Sequence, residues 1–335
     1  MSTAPALVEV RTLFARGRGF PGLVQGTYGA RGNLELVQAD AHDGLWVHWR
    51  NNDPIDLRPG ALASHWSVGL AFALGRRYDA AGIVQVTQGS PNLEVVASSD
   101  GVLFRTFWTA EAGFSSPLAI AEHVGEGSLA IVQAPNGDLI VVIPSHKRGV
   151  RAMRCETGTY PVLQITDSGT PPCKLGVLKG VDAMIVPNGL LIVAVSEAGE
   201  VVELQPSGSG RIASGCQAVA LVPTDRHSGN AAAVLAYSGG GIAIAFRRGN
   251  EWESPRGLEI PIENVSAISA CRSTICESRI EIVARSGETI WHLAVGTLDG
   301  ELREGPSAIE TRAWVSPDSI DAVNAHPSEA HPCRS

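Results

Sequence analysis

The chain has 335 residues, 44% hydrophobic and 18% charged, enough for one large domain or two ordinary ones with a substantial core. A formal net charge of −8 argues against nucleic acid, whose phosphates call for a basic surface. With Gly 37 and Pro 20 the chain is punctuated too often for long helices, and the aliphatic run Leu190–Val195 falls far short of a membrane span.

Taken in chain order, Leu7–Phe14 (LVEVRTLF) has strand character and stands alone. A unit then recurs: an apolar strand, a second strand, a small-residue turn and a third strand. The first copy runs from Gly22–Tyr28 through Gly32–Val37 to Gly44–Arg50, with His65–Phe72 trailing. The second runs from Ala81–Gln88 through Pro91–Val96 to Gly101–Trp108. Weaker copies have leading strands at Ser128–Ala134, Asp182–Pro187, Gln217–Pro223 and Val265–Ala270, and Tyr160–Thr166 trails the third. Their second strands open at 33, 92, 138, 190, 231 and 279, spacings of 41 to 59 residues.

Four short strands per unit at that period are the arithmetic of a β-propeller blade. A sandwich gives no reason for six copies, and a solenoid would leave long edges exposed. The reading is an all-β, six-bladed propeller of four-stranded blades, one domain over residues 1–310. Leu7–Phe14 completes the final blade, and a C-terminal tail follows over 311–335, with Trp314 tacking it to the ring.

Six cysteines contain no CxxC pair and no zinc-type spacing, so a metal site is not expected. Cys155 with Cys173, and Cys271 with Cys276, could close short disulfide loops in an oxidising compartment. Asn264-Val265-Ser266 is a glycosylation sequon. The start, Met1 to Pro5, lacks the pattern of a signal peptide, and a mature secreted form given a new methionine would read the same. The compartment stays open.

At this point GNLELVQADAHDGLWVHWRNND, and more loosely PNLEVVASSDGVLFRTFW, resembles the repeating unit GN-[LF]-E-[LV]-V…L-x-h-x-W-R-[DN]-[ND] of bacterial and fungal propeller lectins. The resemblance is strong over Gly22–Trp66, fair over Ala80–Trp108 and faint beyond about Gly127. It implies sugar sites between neighbouring blades, where an aromatic ring covers the apolar sugar face and Arg and Glu bond the hydroxyls. Carried over by position, the glutamates are Glu35, Glu94 and Glu281. Their third-strand partners are Trp49 and Arg50, then Arg105 and Trp108, then Trp291 and His292. Blades three to five replace the pattern with GVRAMR, EVVELQ and IAIAFR, and aromatics are only 5% of the chain. At most two or three pockets are expected, on the arc of blades six, one and two.

A second resemblance is to the fungal hetero-Diels–Alderases of tropolone–sesquiterpenoid pathways, which look like lectin-type propellers. It implies a cofactor-free pericyclase holding two apolar reactants face to face. The expected partner is therefore a saccharide or an apolar small molecule, with no cofactor, and binding and catalysis both stand. Each glutamate also has a plain structural reading, a buried carboxylate clasped by an arginine such as Arg50, Arg105 or Arg285. Trp46 and Trp49, three apart on a strand, face opposite ways and cannot share a pocket. His48, His65, His123 and His292 lack a diagnostic catalytic neighbour.

Overall fold

The computed structural model describes residues 11–14, 17–29, 31–40, 43–52, 66–67, 69–87, 92–145, 149–156, 164–167, 175–205, 208–225, 228–273 and 278–313. Everything regular among them is strand, with no helix. Alternation of apolar and small residues builds antiparallel four-strand runs, each pairing a strand with the next in sequence. The first holds Gly17–Gln25, Leu34–Asp40, Leu45–Arg50 and Leu70–Phe72. The second holds Ala80–Gln85, Leu93–Ser99, Val102–Thr109 and Leu118–Glu122, with Gly113–Phe114 paired to its third strand. The third holds Ala130–Gln133, Leu139–Pro144, Val150–Glu156 and Gln164–Asp167; the fourth holds Leu178–Val186, Gly189–Ser196, Val201–Gln205 and Gly208–Ala213. In the fifth, Cys216–Pro223, Ala231–Tyr237 and Ile242–Arg248 are followed by two short pieces, Glu251–Trp252 and Arg256–Gly257. The sixth holds Val265–Arg272, Arg279–Ser286, Thr289–Gly296 and Leu302–Ala308.

These sheets stand in a ring. The first strand of each neighbours the first strand of the next, and Gly17–Gln25 neighbours Val265–Arg272. Six apolar clusters fill the six gaps, from Val37 and Val95 between sheets one and two round to Leu36 and Val283 between sheets six and one. That last cluster is the smallest, so the junction that closes the ring has the least hydrophobic burial to hold it.

Polar pins supplement this packing at the ring's inner wall. Gln85 Oε1 accepts the Thr27 N–H from sheet one, and Gln133 Oε1 accepts the Thr87 N–H from sheet two. Ser269 Oγ takes the Leu23 N–H across the closing junction, and Asp182 Oδ2 takes the Leu221 N–H between sheets four and five.

Small residues let the inner strands approach. A side chain on Gly22 would put its Cβ 2.9 Å from the Gly82 Cα, and Gly127, at φ 117°, would meet the Lys179 carbonyl oxygen at 1.9 Å. Both strain and overlap oppose a methyl group there. Gly127→Ala is expected to lower stability by about 2 kcal/mol, read as a lower urea midpoint; an unchanged midpoint would mean the strands can separate freely.

Two sequence expectations change. The sixth sheet draws all four strands from its own repeat, whereas Arg11–Phe14 pairs antiparallel with Glu310–Ala313 as a separate ribbon. Arg11–Phe14 does not enter the final sheet, whose outer edge Leu302–Ala308 already occupies. Residues 7–10 and Trp314 lie outside the described residues. Cys155, Cys216 and Cys271 are free thiols, against the two expected disulfides, whose other members Cys173 and Cys276 lie outside the described residues. Burial pushes the Cys155 thiol up to about 11 and Cys271 well above its usual value, so both pack as small hydrophobes.

Candidate functional site: the clefts between sheets

The three sequence-selected glutamates occupy one position in three sheets, and strand register shows what each meets. Two residues beyond them, Val37, Val96 and Val283 pair across to Val47, Arg105 and His292. The diagonal neighbour of the glutamate is therefore valine in sheet one, arginine in sheet two and histidine in sheet six. That one substitution gives three different sites.

In sheet two, Glu94 is fully buried, and Arg105 clasps it through Nε at 2.8 Å and Nη2 at 3.0 Å. The guanidinium also lies 5.0 Å from the Phe107 ring centroid. Glu94 and Arg105 face sheet three, beside Cys155. Trp108 points the other way, its ring edge-on to Tyr28 of sheet one with centroids 4.9 Å apart. Arg105 and Trp108, three residues apart on one strand, thus lie on opposite faces and do not share a pocket.

The same separation holds elsewhere. Trp49, 37% exposed, and buried Arg50 are adjacent and diverge, and Trp291 packs toward sheet five while His292 faces sheet one.

Glu35 in sheet one has no arginine or histidine bonded to it among the described residues. Burial pushes its carboxyl up to about 8, against the smaller opposing effect of a hydrogen bond from the Asn33 side chain. At neutral pH this carboxyl is mostly protonated and can donate as well as accept. Tyr28 stands near enough for burial and the Glu35 charge to raise its own hydroxyl. Cleft one–two thus combines a protonated acid with the Tyr28–Trp108 aromatic pair.

Cleft six–one holds a connected polar network. His292 Nε2 lies 2.9 Å from Glu281 Oε2, and Arg50 Nη1 lies 3.4 Å from His292 Nδ1. Nε2 thus faces the Glu281 carboxylate, and the Arg50 guanidinium stands on the Nδ1 side of the ring. Arg50 Nη2 donates to Glu304 Oε1 at 2.8 Å, and Arg279 bonds Glu304 and lies 2.7 Å from Glu281. The edge of Trp66 meets His292 with ring centroids 5.4 Å apart. Burial works to raise Glu281, but the His292 hydrogen bond and Arg279 outweigh it and hold the carboxyl below its usual value. Glu304 is lowered likewise: burial raises it, and the Arg279 bond and the Arg50 charge prevail. Arg50 Nε and Trp66 Nε1, in this cleft, are buried N–H donors without an acceptor among the described residues.

Sequence reading missed a further cluster between sheets four and five. Arg247 Nε and Nη2 donate to Glu203 at 3.0 and 3.2 Å, and Trp252 Nε1 donates to the same carboxylate at 2.7 Å. Glu203, isolated in an apolar strand of EVVELQ, was the available signal, but its partners come from the next sheet. His48, by contrast, is a core histidine: burial lowers it to about 4, while Ser67 O and Gln38 satisfy its two nitrogens.

No protein-family model matches the chain, and no curated protein does. Solved structures are similar over nearly its whole length. AofleA of Arthrobotrys oligospora aligns at TM-score 0.64 and 11% identity, over 92% of this chain and 90% of that one. The six-bladed lectin of Aleuria aurantia, described as recognising fucose, aligns at 0.63 and 13%, over 92% and 100%. The BP39L lectin of Burkholderia pseudomallei aligns at 0.61 and 14%, over 89% and 100%. The fold is that of a lectin-like β-propeller.

Proposed function

We propose that the protein is a carbohydrate-binding, lectin-like propeller of six four-stranded blades forming one domain, with sugar taken at few of the clefts between them. The observation that carries this reading is the pair of donors in cleft six–one. Arg50 Nε and Trp66 Nε1 are buried N–H groups with no acceptor among the described residues, beside the Glu304 carboxylate, which is 30% exposed. A buried donor left unpaired is costly, and a sugar hydroxyl answers it by accepting from one N–H and donating to the carboxylate. The indole supplies the flat apolar surface that sugar C–H groups need. In the closed clusters, by contrast, Glu94 and Glu203 already spend their oxygens on arginine. Valency is therefore low, with cleft one–two as the other candidate.

The test is titration with methyl α-L-fucoside, chosen because structural neighbours bind it, alongside a glycan array. Trp66→Phe removes one donor and keeps an aromatic surface. It is expected to weaken the best ligand about tenfold, the scale of one lost hydrogen bond, with little change in melting temperature. Silence on every glycan, or equal affinity in the variant, would overturn the reading.

A further inference from the structure

Set side by side, the cleft glutamates differ in one respect. Arg105 Nε lies 2.8 Å from Glu94, Arg247 Nε 3.0 Å from Glu203 and Arg279 Nε 2.7 Å from Glu281. Glu35 has no cation bonded to it among the described residues. It is also 5% exposed, where Glu94 and Glu281 are at 0%.

Strand register shows that the rest of a cation's seat is retained there. In sheet two, Glu94 is paired directly with Phe107, and the Arg105 guanidinium held by that carboxylate lies 5.0 Å from the Phe107 ring centroid. In sheet one, Glu35 is paired directly with Trp49. Carboxyl and aromatic ring thus recur side by side, on Cβ atoms about 5 Å apart, and an indole attracts a cation better than a phenyl ring does. The third member is missing, because the residue diagonal to Glu35 is Val47.

This seat opens on cleft one–two. Val24, paired to Glu35 in the same cross-strand row, packs against the core between sheets one and two, so the row Val24–Glu35–Trp49 faces sheet two. Trp49 is 37% exposed, with no ring or cation against it among the described residues. Across the cleft stands Trp108, edge-on to Tyr28. These rings suit the C–H face of a sugar, and the carboxyl beside them suits a positive charge that the chain itself does not supply.

We propose that cleft one–two selects a saccharide bearing an ammonium group, the ammonium on Glu35 and the apolar face of the sugar against Trp49. The inference rests on the lectin reading and gives this cleft its class of sugar. The ligand's ammonium takes the part that Arg105 plays in sheet two.

The test is calorimetric titration of the full chain with D-glucosamine, with N-acetyl-D-glucosamine and D-glucose as uncharged counterparts. Glucosamine is expected to bind about tenfold tighter than either, the scale of one hydrogen bond to a charged group. Glu35→Gln should erase that preference, and Trp49→Ala should weaken glucosamine about tenfold. If Glu35→Gln does not fold, wild-type titration at pH 6 in two buffers of different ionisation heat decides. The Glu35 carboxyl, which holds its proton up to about 8, must ionise to meet the ammonium, so proton release supports the site and no release overturns it. Equal affinity for glucosamine and N-acetylglucosamine, or a preference that survives in Glu35→Gln, would overturn it as well. Neutral glycans that bind and are weakened by Trp66→Phe, without any preference for glucosamine, would sink this inference and leave the lectin reading standing. Silence on every saccharide, glucosamine included, overturns both.

Discussion

Replacing Arg105 by alanine is expected to cost the fold about 3–5 kcal/mol, the penalty for stranding a buried charge. Glu94 is fully buried, and Arg105, 5% exposed, donates to it at 2.8 and 3.0 Å. Without the guanidinium the carboxylate must stay charged in an apolar gap or take up a proton. The matching experiment replaces both partners, as Glu94→Leu with Arg105→Met, which removes the charge together with its counter-charge. Such exchanges of buried pairs for apolar residues are often neutral or stabilising. The double variant should therefore recover most of what the single one loses. Urea denaturation of the wild type, the two single variants and the double variant measures the coupling directly. A single variant within about 1 kcal/mol of wild type would mean that solvent reaches the pair, and would return it to the list of open sugar clamps.

The contrast between this pair and its counterparts shows which parts of the protein were legible in sequence. Strands and their period were legible, because VQ, VVAS or VVIP runs between glycines can bury a side chain on alternate positions only as sheet. The ring followed from repetition. The three glutamates stood out as carboxylates inside apolar strands, and all three are buried. Their partners were harder. Pairing Arg105 with Trp108, or Arg50 with Trp49, ignored the two-residue alternation that sends such neighbours to opposite faces. Glu304, Arg279 and Trp66 join cleft six–one from positions that follow no motif, and their meeting with Arg50 depends on the ring closing. The N-terminal strand was expected to complete the sixth sheet, but Arg11–Phe14 pairs with Glu310–Ala313 instead. Charge state was beyond sequence altogether, since Glu35 and Glu94 sit in nearly identical strings, NLELV and NLEVV, and differ in what lies diagonally opposite.

That difference sets up the second large effect. Glu35→Gln is expected to stabilise the protein by about 3 kcal/mol at pH 7, the free energy of a 2.5-unit interval at 1.36 kcal/mol per unit. In the folded protein the Glu35 carboxyl holds its proton up to about 8, against an ordinary value of 4.5. Between those limits the folded state binds more protons than the unfolded one, so stability falls as pH rises through the interval. Below about 4.5 both states are protonated and the glutamine, nearly isosteric with the protonated acid, should make no difference. Above about 8 the gap should level off. Asp182, raised to about 7, shifts stability in the same direction. His48, lowered to about 4, acts oppositely, because the unfolded chain takes up a proton below 6.5 that the folded core refuses. Both residues are present in wild type and variant alike, so the difference between the two denaturation curves isolates Glu35. A constant offset across pH 4 to 9 would show that the carboxyl titrates normally, and that cleft one–two is wet enough to solvate a charge. A gap that opens with pH would instead establish a protonated acid beside Tyr28 and Trp108, able to donate a hydrogen bond at neutral pH. On the proposed lectin reading, cleft one–two would then offer a sugar a donor where cleft six–one would offer the Glu304 carboxylate, and the two clefts should differ in which hydroxyls they select.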